Sequence, residues 1–153
     1  MKRIFRKILL TGLVVFLLMQ LYQPARNKDN GEVLPAHITK QYNLPNHVQV
    51  ILAATCYDCH SNNTKYPWYS YIQPARFFME RHISIGKKNL NFSEFGNYSK
   101  RRQESKFGSI IEQVKSGEMP LASYTLLHKN SKLNPKQKET VINWMDSILK
   151  NNE

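Results

Sequence analysis

The chain has 153 residues, of which 41% are hydrophobic and 22% are charged, and its formal net charge is +11. This length suits one domain, and no period of self-similar sequence suggests a repeat array. The basic balance favours a solvated basic surface or an acidic partner, and by itself it is also compatible with nucleic acid or anionic lipid.

The first 26 residues have the layout of an export segment. An apolar run from Ile8 to about Leu21 follows a cluster of four cations. The residues after the run offer no pair of small residues at cleavage spacing, so we expect an uncleaved membrane anchor rather than a cleaved signal. If the cationic end stays inside the cell, everything after Asn27 lies on the periplasmic side of the inner membrane, which argues against nucleic acid as a partner. The four cations are Lys2, Arg3, Arg6 and Lys7.

Two further regions follow this segment. Residues 27–43 are polar and contain Pro35, so we expect a tether with little regular structure. Residues 44–153 then form the domain, which is long enough for a modest core that a bound prosthetic group would enlarge.

The first two predicted helices lie on either side of a loop. Asn46 caps the first helix, whose apolar residues follow helical spacing and which runs straight into the cysteines. Pro74 opens the second helix, which we expect to end near Gly86.

The other two predicted helices carry clear end signals. One covers about 102–116, and Gly117 is placed to terminate it. The last has Asn134 as its cap, Pro135 in the first turn and Gln137 at the spacing of a capping box. No run is long enough to indicate a strand, so the predicted fold class is all-α.

The segment Cys56-Tyr57-Asp58-Cys59-His60 contains both cysteines of the chain. Residues at i, i+3 and i+4 of a helix project to one side, so the two sulfurs and the imidazole can meet one flat ligand. A c-type haem requires this arrangement, with two thioether bonds to the porphyrin edge and an imidazole on the iron. We therefore predict one covalently attached haem c, bound by Cys56, Cys59 and His60.

Three other kinds of site use similar residues. A thioredoxin-like redox pair normally opens a helix after a strand, whereas this pair is predicted to end a helix. A zinc site needs a fourth ligand, and no second compact ligand pair is visible. A disulfide between Cys56 and Cys59 would close a very short loop and would leave His60 without a role.

The chain resembles a small c-type cytochrome and, more closely, the bacterial haem-binding domain family. The resemblance covers roughly residues 44–149, and Phe95 stands where the family often has tryptophan. It implies a cytochrome c-like small helical domain wrapped around the haem, preceded here by the N-terminal membrane or export helix. The matching motifs are Cys56-Tyr57-Asp58-Cys59-His60-Ser61-Asn62, Pro67-Trp68-Tyr69, Asn91-Phe92-Ser93-Glu94 and Met119-Pro120.

The second axial position of the iron has several candidates. Met119 leads, because cytochromes c of this resemblance use a Met-Pro pair in this way and because Pro120 stiffens the backbone behind the thioether. His82, on the second predicted helix, would give a bis-histidine haem. His128 and an open iron site are the remaining possibilities.

The surroundings of the haem are also predicted. We expect the carbonyl of Pro67 to accept a hydrogen bond from the second nitrogen of His60. Four aromatic residues after the motif should pack against the porphyrin. Four cations could balance the propionates or steer an acidic partner, although each is also a plausible solvated residue. The aromatic residues are Tyr66, Trp68, Tyr69 and Tyr71, and the cations are Lys87, Lys88, Arg101 and Arg102.

The function that follows is that of an exported, monomeric, mono-haem electron carrier without catalytic residues. His60 and Met119 would hold the iron on both sides, and the thioether would raise the reduction potential relative to a second imidazole. The expected partner is a redox protein, with an acidic surface as one possibility. The alternatives are a haem-based sensor, gas-binding or peroxidase-like domain with an exchangeable sixth ligand, or a haem domain that serves as an interaction module.

Overall fold

The computed structural model describes residues 1–151. Within these residues the chain is helical and has no strand, which confirms the predicted all-α class. The last two residues of the domain predicted over 44–153 lie outside the described residues. The α-helices are α1 Lys2–Met19, α2 Ile38–Gln41, α3 Asn46–Thr55, α4 Tyr57–His60, α5 Ala75–Asn89, α6 Lys100–Ser116, α7 Ala122–Leu127 and α8 Pro135–Lys150, and the 3₁₀ turns are Trp68–Tyr71, Phe92–Asn97 and Lys129–Ser131.

Helix α1 does not support the predicted membrane-spanning anchor. Its apolar part from Ile8 to Met19 extends about 18 Å at 1.5 Å per residue, whereas the hydrocarbon core of a bilayer is about 30 Å thick. No helix within residues 1–151 is both long enough and apolar enough to cross a membrane. None of the residues of α1 is buried.

The residues after α1 pack on the domain, and we call residues 20–27 the strap. The backbone N–H of Gln73 donates to Gln20 Oε1 at 2.9 Å, and its side-chain amide donates to the carbonyl of Tyr22 at 2.5 Å. Gln73 is 2% exposed, so the strap satisfies a buried amide. At the other end of the strap, Asn27 Oδ1 accepts from Lys87 Nζ at 2.7 Å.

The tether expected over residues 27–43 also contains a short helix that joins the core. Helix α2 buries Ile38 completely, and it packs against the 3₁₀ turn Phe92–Asn97. The backbone N–H of Gly96 in this turn donates to the carbonyl of Ala36 at 2.7 Å. Sequence reasoning overlooked this contribution because a single apolar residue among polar neighbours produces no periodic pattern.

The main core lies where α8 packs against α6 and α3. The structure confirms the end signals of the two last predicted helices. Gly117 ends α6 with a φ of 78°, and Asn134 and Gln137 form the predicted capping box of α8. Phe95, which stands where the resemblance led us to expect tryptophan, is fully buried. Its ring centroid lies 5.1 Å from that of Phe107. The buried core residues are Ile38, Val48, Leu52, Leu90, Phe92, Phe95, Phe107, Ile111, Val141, Trp144 and Met145.

Helices α4 and α5 differ from the sequence prediction. Helix α3 runs straight into the cysteines as predicted, and a break at Cys56, with φ −121° and ψ −40°, separates it from the one-turn helix α4. Helix α5 continues past Gly86 to Asn89. Gly86 instead marks a close approach of the two helices, since a Cβ at this position would lie 2.7 Å from the carbonyl oxygen of Cys59.

Candidate functional site

The cysteines and the histidine lie on one helical turn, as the sequence predicted. The carbonyl of Cys56 accepts from the backbone N–H of Cys59 at 3.2 Å and from that of His60 at 3.0 Å. Helix α4 packs against α5 and α3. The turn is therefore fixed by its own backbone hydrogen bonds and by two neighbouring helices.

The imidazole of His60 has a defined tautomer. Its Nδ1 lies 3.0 Å from the carbonyl oxygen of Gly86 and 3.0 Å from that of Leu90. A carbonyl oxygen only accepts, so Nδ1 carries the hydrogen and Nε2 keeps a free lone pair in the neutral ring. Burial lowers the pKa of His60 below its ordinary value, against the effect of the two backbone hydrogen bonds. The ring is therefore neutral and ready to bind a metal through Nε2.

The predicted role of Pro67 in orienting His60 is wrong. The carbonyl of Pro67 accepts instead from the backbone N–H of Ser70 at 3.0 Å and from its hydroxyl at 2.6 Å. The carbonyls that orient His60 lie at the C-terminal end of α5, where backbone carbonyls carry partial negative charge. The C-terminal end of a helix would have indicated these acceptors. The sequence prediction ended this helix near Gly86, whereas α5 continues to Asn89 and places the carbonyl of Leu90 at its end.

Both thiols are free and protonated. Burial raises the pKa of Cys56 and of Cys59 to about 11. A redox dithiol needs a lowered pKa, because the thiolate is the reactive form, so these values argue against the thioredoxin-like alternative. Within residues 1–151, no three His, Cys, Asp or Glu side chains are grouped to hold a metal ion, so the zinc alternative is not supported either.

The four predicted site residues line one cavity of about 110 Å³, which we call the central cavity: Cys56, Cys59, His60 and Met119. A second cavity of about 100 Å³ shares the walls at Cys56, His60 and Met119 and continues along α6. The backbone N–H of Met119 donates to the carbonyl of Gln113 at 3.2 Å. This bond fixes the start of the segment between α6 and α7, which carries the thioether.

The two histidines that compete with Met119 differ in whether they line the central cavity. His82 lies on α5, one turn before Gly86, and also lines the central cavity. His128 lines a neighbouring cavity of about 230 Å³. Its ring is stacked on Tyr124 at 4.2 Å between centroids.

Comparison with known proteins identifies the kind of ligand that this domain binds. The family model of the haem-binding domain matches residues 14–147. The chain belongs to the haem-binding domain family. No curated protein and no solved structure matches the chain. Haem with its iron is therefore the cofactor of this domain, and the resemblance seen in the sequence is confirmed at the level of the haem-binding family.

The residues of the cavity fit a haem. His60 offers a neutral imidazole nitrogen and Met119 a thioether, which are both common axial ligands of haem iron. The cysteines lie on the same turn as His60 and remain protonated. Apolar side chains contribute much of the remaining wall, including Ile85, Leu121 and Leu133.

None of the aromatic or cationic residues expected around the haem lines the central cavity or the cavity along α6. Trp68 and Tyr71 are exposed, and the hydroxyl of Tyr66 accepts from the backbone N–H of Asn27 in the strap at 2.6 Å. Tyr69 lines the same neighbouring cavity as His128.

Lys106 lines the second cavity, along α6, and sequence reasoning missed it. Lys87 binds the strap, and Arg102 lies over the ring of Tyr98 at 4.3 Å. The available signal was the spacing of Lys106 with Ile110 and Gln113 on one face of α6. Those residues line the second cavity together with Ser109 and Val114.

Proposed function

We propose that this haem-binding domain is a c-type cytochrome that carries single electrons, with its haem attached through Cys56 and Cys59. The observation that supports this proposal is that Cys56, Cys59, His60 and Met119 line one cavity, while Nδ1 of His60 is engaged by backbone carbonyls and leaves Nε2 free. When bound, the haem iron supplies the one-electron couple between its ferric and ferrous states.

The two cysteines attach the cofactor without a change of oxidation state. Cys56 and Cys59 would hold the haem as thioethers, each formed by addition of S–H across one vinyl group, with sulfur bonded to one vinyl carbon and hydrogen to the other. Both thiols are free and half-buried, and burial raises their pKa to about 11, so they would stay protonated until a haem is attached. The covalent link then keeps a large apolar group in a small core.

His60 and Met119 would hold the iron of the haem. The carbonyls of Gly86 and Leu90 orient the imidazole and raise its basicity. A thioether on the other side raises the reduction potential relative to a second imidazole. Since both positions are filled by protein groups, little rearrangement accompanies electron transfer, and no substrate site is part of this proposal.

The setting we propose is the periplasmic side of the inner membrane. The cationic start and apolar run of α1 favour export, and the strap belongs to the folded domain. The domain acts as a monomer, and its net charge of +11 favours a redox partner protein with an acidic surface. Cell fractionation and N-terminal sequencing of the natively expressed protein test this setting, and recovery in the cytoplasm would contradict it.

Acid-acetone extraction of the natively expressed protein tests the attachment. We expect the haem to stay on the polypeptide, and we expect the double variant Cys56→Ser/Cys59→Ser to release it into the acetone. Release from the parent protein would refute c-type attachment.

Carbon monoxide tests the axial ligands. The ferrous protein should resist carbon monoxide at neutral pH, because Met119 and His60 fill both axial positions. Ready and complete binding would refute the six-coordinate electron carrier and favour the sensor, gas-binding or peroxidase-like alternative.

A further inference from the structure

A hydrogen bond joins the cysteine motif to the helix that follows Met119. The hydroxyl of Tyr124 on α7 donates to Oδ2 of Asp58 on α4 at 2.6 Å, across 66 positions of sequence. Asp58 lies between Cys56 and Cys59, and Tyr124 lines the central cavity with Met119. Hydrogen bonds to a charged acceptor are shorter and stronger than neutral ones.

Two further hydrogen bonds hold Asp58 in place. Its Oδ1 accepts from the backbone N–H of Lys65 at 2.9 Å, and its carbonyl accepts from the hydroxyl of Thr64 at 2.6 Å. Thr64 is fully buried. The carboxylate therefore belongs to the rigid turn that carries the cysteines.

Helix α7 is, by contrast, weakly packed. It has no buried residue, and Leu126 and Leu127 on it are 75% and 63% exposed. It packs chiefly on the 3₁₀ turn Lys129–Ser131. An element with few buried apolar contacts opens at low free-energy cost. A single strong hydrogen bond therefore contributes a large share of the free energy that keeps α7 packed on the domain.

The hydroxyl of Tyr124 has no equally close alternative acceptor. Ser131 Oγ lies 3.5 Å away, and it donates its only hydrogen to the carbonyl of Ala54 at 2.6 Å. The backbone N–H of Tyr124 donates to the carbonyl of Leu121 at 3.0 Å. The residue thus ties Asp58 to the first turn of α7, which begins two positions after Pro120.

We propose that the Tyr124–Asp58 hydrogen bond is a latch that holds Met119 over the haem and sets how readily an external ligand displaces it. Tyr124 is in this sense a positioning residue. The inference rests on the proposed ligation of the iron by Met119. When the latch opens, α7 and the Met119 segment move away together, and the exposed iron position becomes available to a small ligand.

Imidazole binding to the ferric holo-protein tests the latch. The measurement follows the weak near-red band of sulfur-ligated ferric haem as imidazole displaces the thioether. Tyr124→Phe removes only the hydroxyl, and we expect it to tighten imidazole binding about tenfold, equivalent to about 1.4 kcal/mol. Asp58→Asn keeps a weaker, uncharged partner and should give a smaller increase. The Asp58→Asn variant also tests the latch if the Tyr124→Phe protein does not fold or accumulate during expression.

Tyr66→Phe is the matched control. Its hydroxyl also makes a 2.6 Å hydrogen bond, but to the backbone of Asn27 in the strap, so imidazole affinity should stay at the parent value. Equal affinities for the parent, Tyr124→Phe and Tyr66→Phe would overturn the latch and leave the ligation by Met119 intact. A parent protein without the near-red band would instead overturn that ligation, and the latch with it.

Discussion

Replacing Gly86 by alanine tests the contact that orients His60. The new Cβ would lie 2.7 Å from the carbonyl oxygen of Cys59 and 3.3 Å from its carbonyl carbon. Non-bonded carbon and oxygen atoms normally stay about 3.3 Å apart or more. Helix α5 and the cysteine turn must therefore separate by roughly 0.6 Å, which also lengthens the hydrogen bond from His60 Nδ1 to the Gly86 carbonyl.

The size of the effect follows from three contributions. Forcing extra atoms into a packed contact costs about 1–3 kcal/mol. Weakening one hydrogen bond of His60 costs about 1 kcal/mol, while exchange of glycine for alanine inside a helix returns about 1 kcal/mol. The net loss is about 1–3 kcal/mol of folding free energy, which lowers Tm by roughly 3–10 °C for a domain of this size.

Thermal unfolding of the holo-protein measures this loss, and Gly108→Ala is the matched control. Gly108 lies in α6, and nothing lies within 4 Å of a Cβ at this position, so alanine should raise stability by about 0.5–1 kcal/mol. The two substitutions are chemically identical and should act in opposite directions. If Gly86→Ala also raised Tm, the close approach of α5 to the cysteine turn would be refuted.

Three further outcomes are expected. Met119→Ala should abolish the near-red band of the ferric protein, whereas Met79→Ala, in the neighbouring cavity, should keep it. In the haem-free chain at pH 8, Cys56 and Cys59 should be alkylated about 100-fold more slowly than in urea, because burial raises their pKa from 9.0 to about 11. The same shift stabilises the haem-free fold below pH 9, and that contribution should disappear as the pH rises through about 11. Asn134→Ala should cost about 1 kcal/mol of unfolding free energy in a denaturant titration, because it removes the cap of α8.

Each of these outcomes has a clear contrary result. Survival of the near-red band in Met119→Ala would point to another sulfur ligand. Equal alkylation rates in buffer and in urea would mean that the thiols are not buried in the haem-free chain. An unchanged denaturation midpoint for Asn134→Ala would mean that the capping box contributes nothing to the stability of α8.

The sequence by itself determined the features that arise within a few positions of the chain. One helical turn is enough to bring Cys56, Cys59 and His60 to the same side, so their spacing predicted a haem, and the family match confirms haem binding. Gly117 and the capping box at Asn134 predicted helix ends correctly, because these signals act through hydrogen bonds between near neighbours.

The tertiary structure decided which groups meet across long distances in the chain. The acceptors of His60 lie 26 and 30 positions away, at Gly86 and Leu90, and the partner of Asp58 lies 66 positions away. A buried polar group forms hydrogen bonds with the partners that helix packing places beside it. No local sequence pattern indicates which partners these are. For the same reason the sequence assigned residues 20–26 to the export segment and residues 27–43 to a tether, whereas packing makes residues 20–27 a strap and Ile38 part of the core.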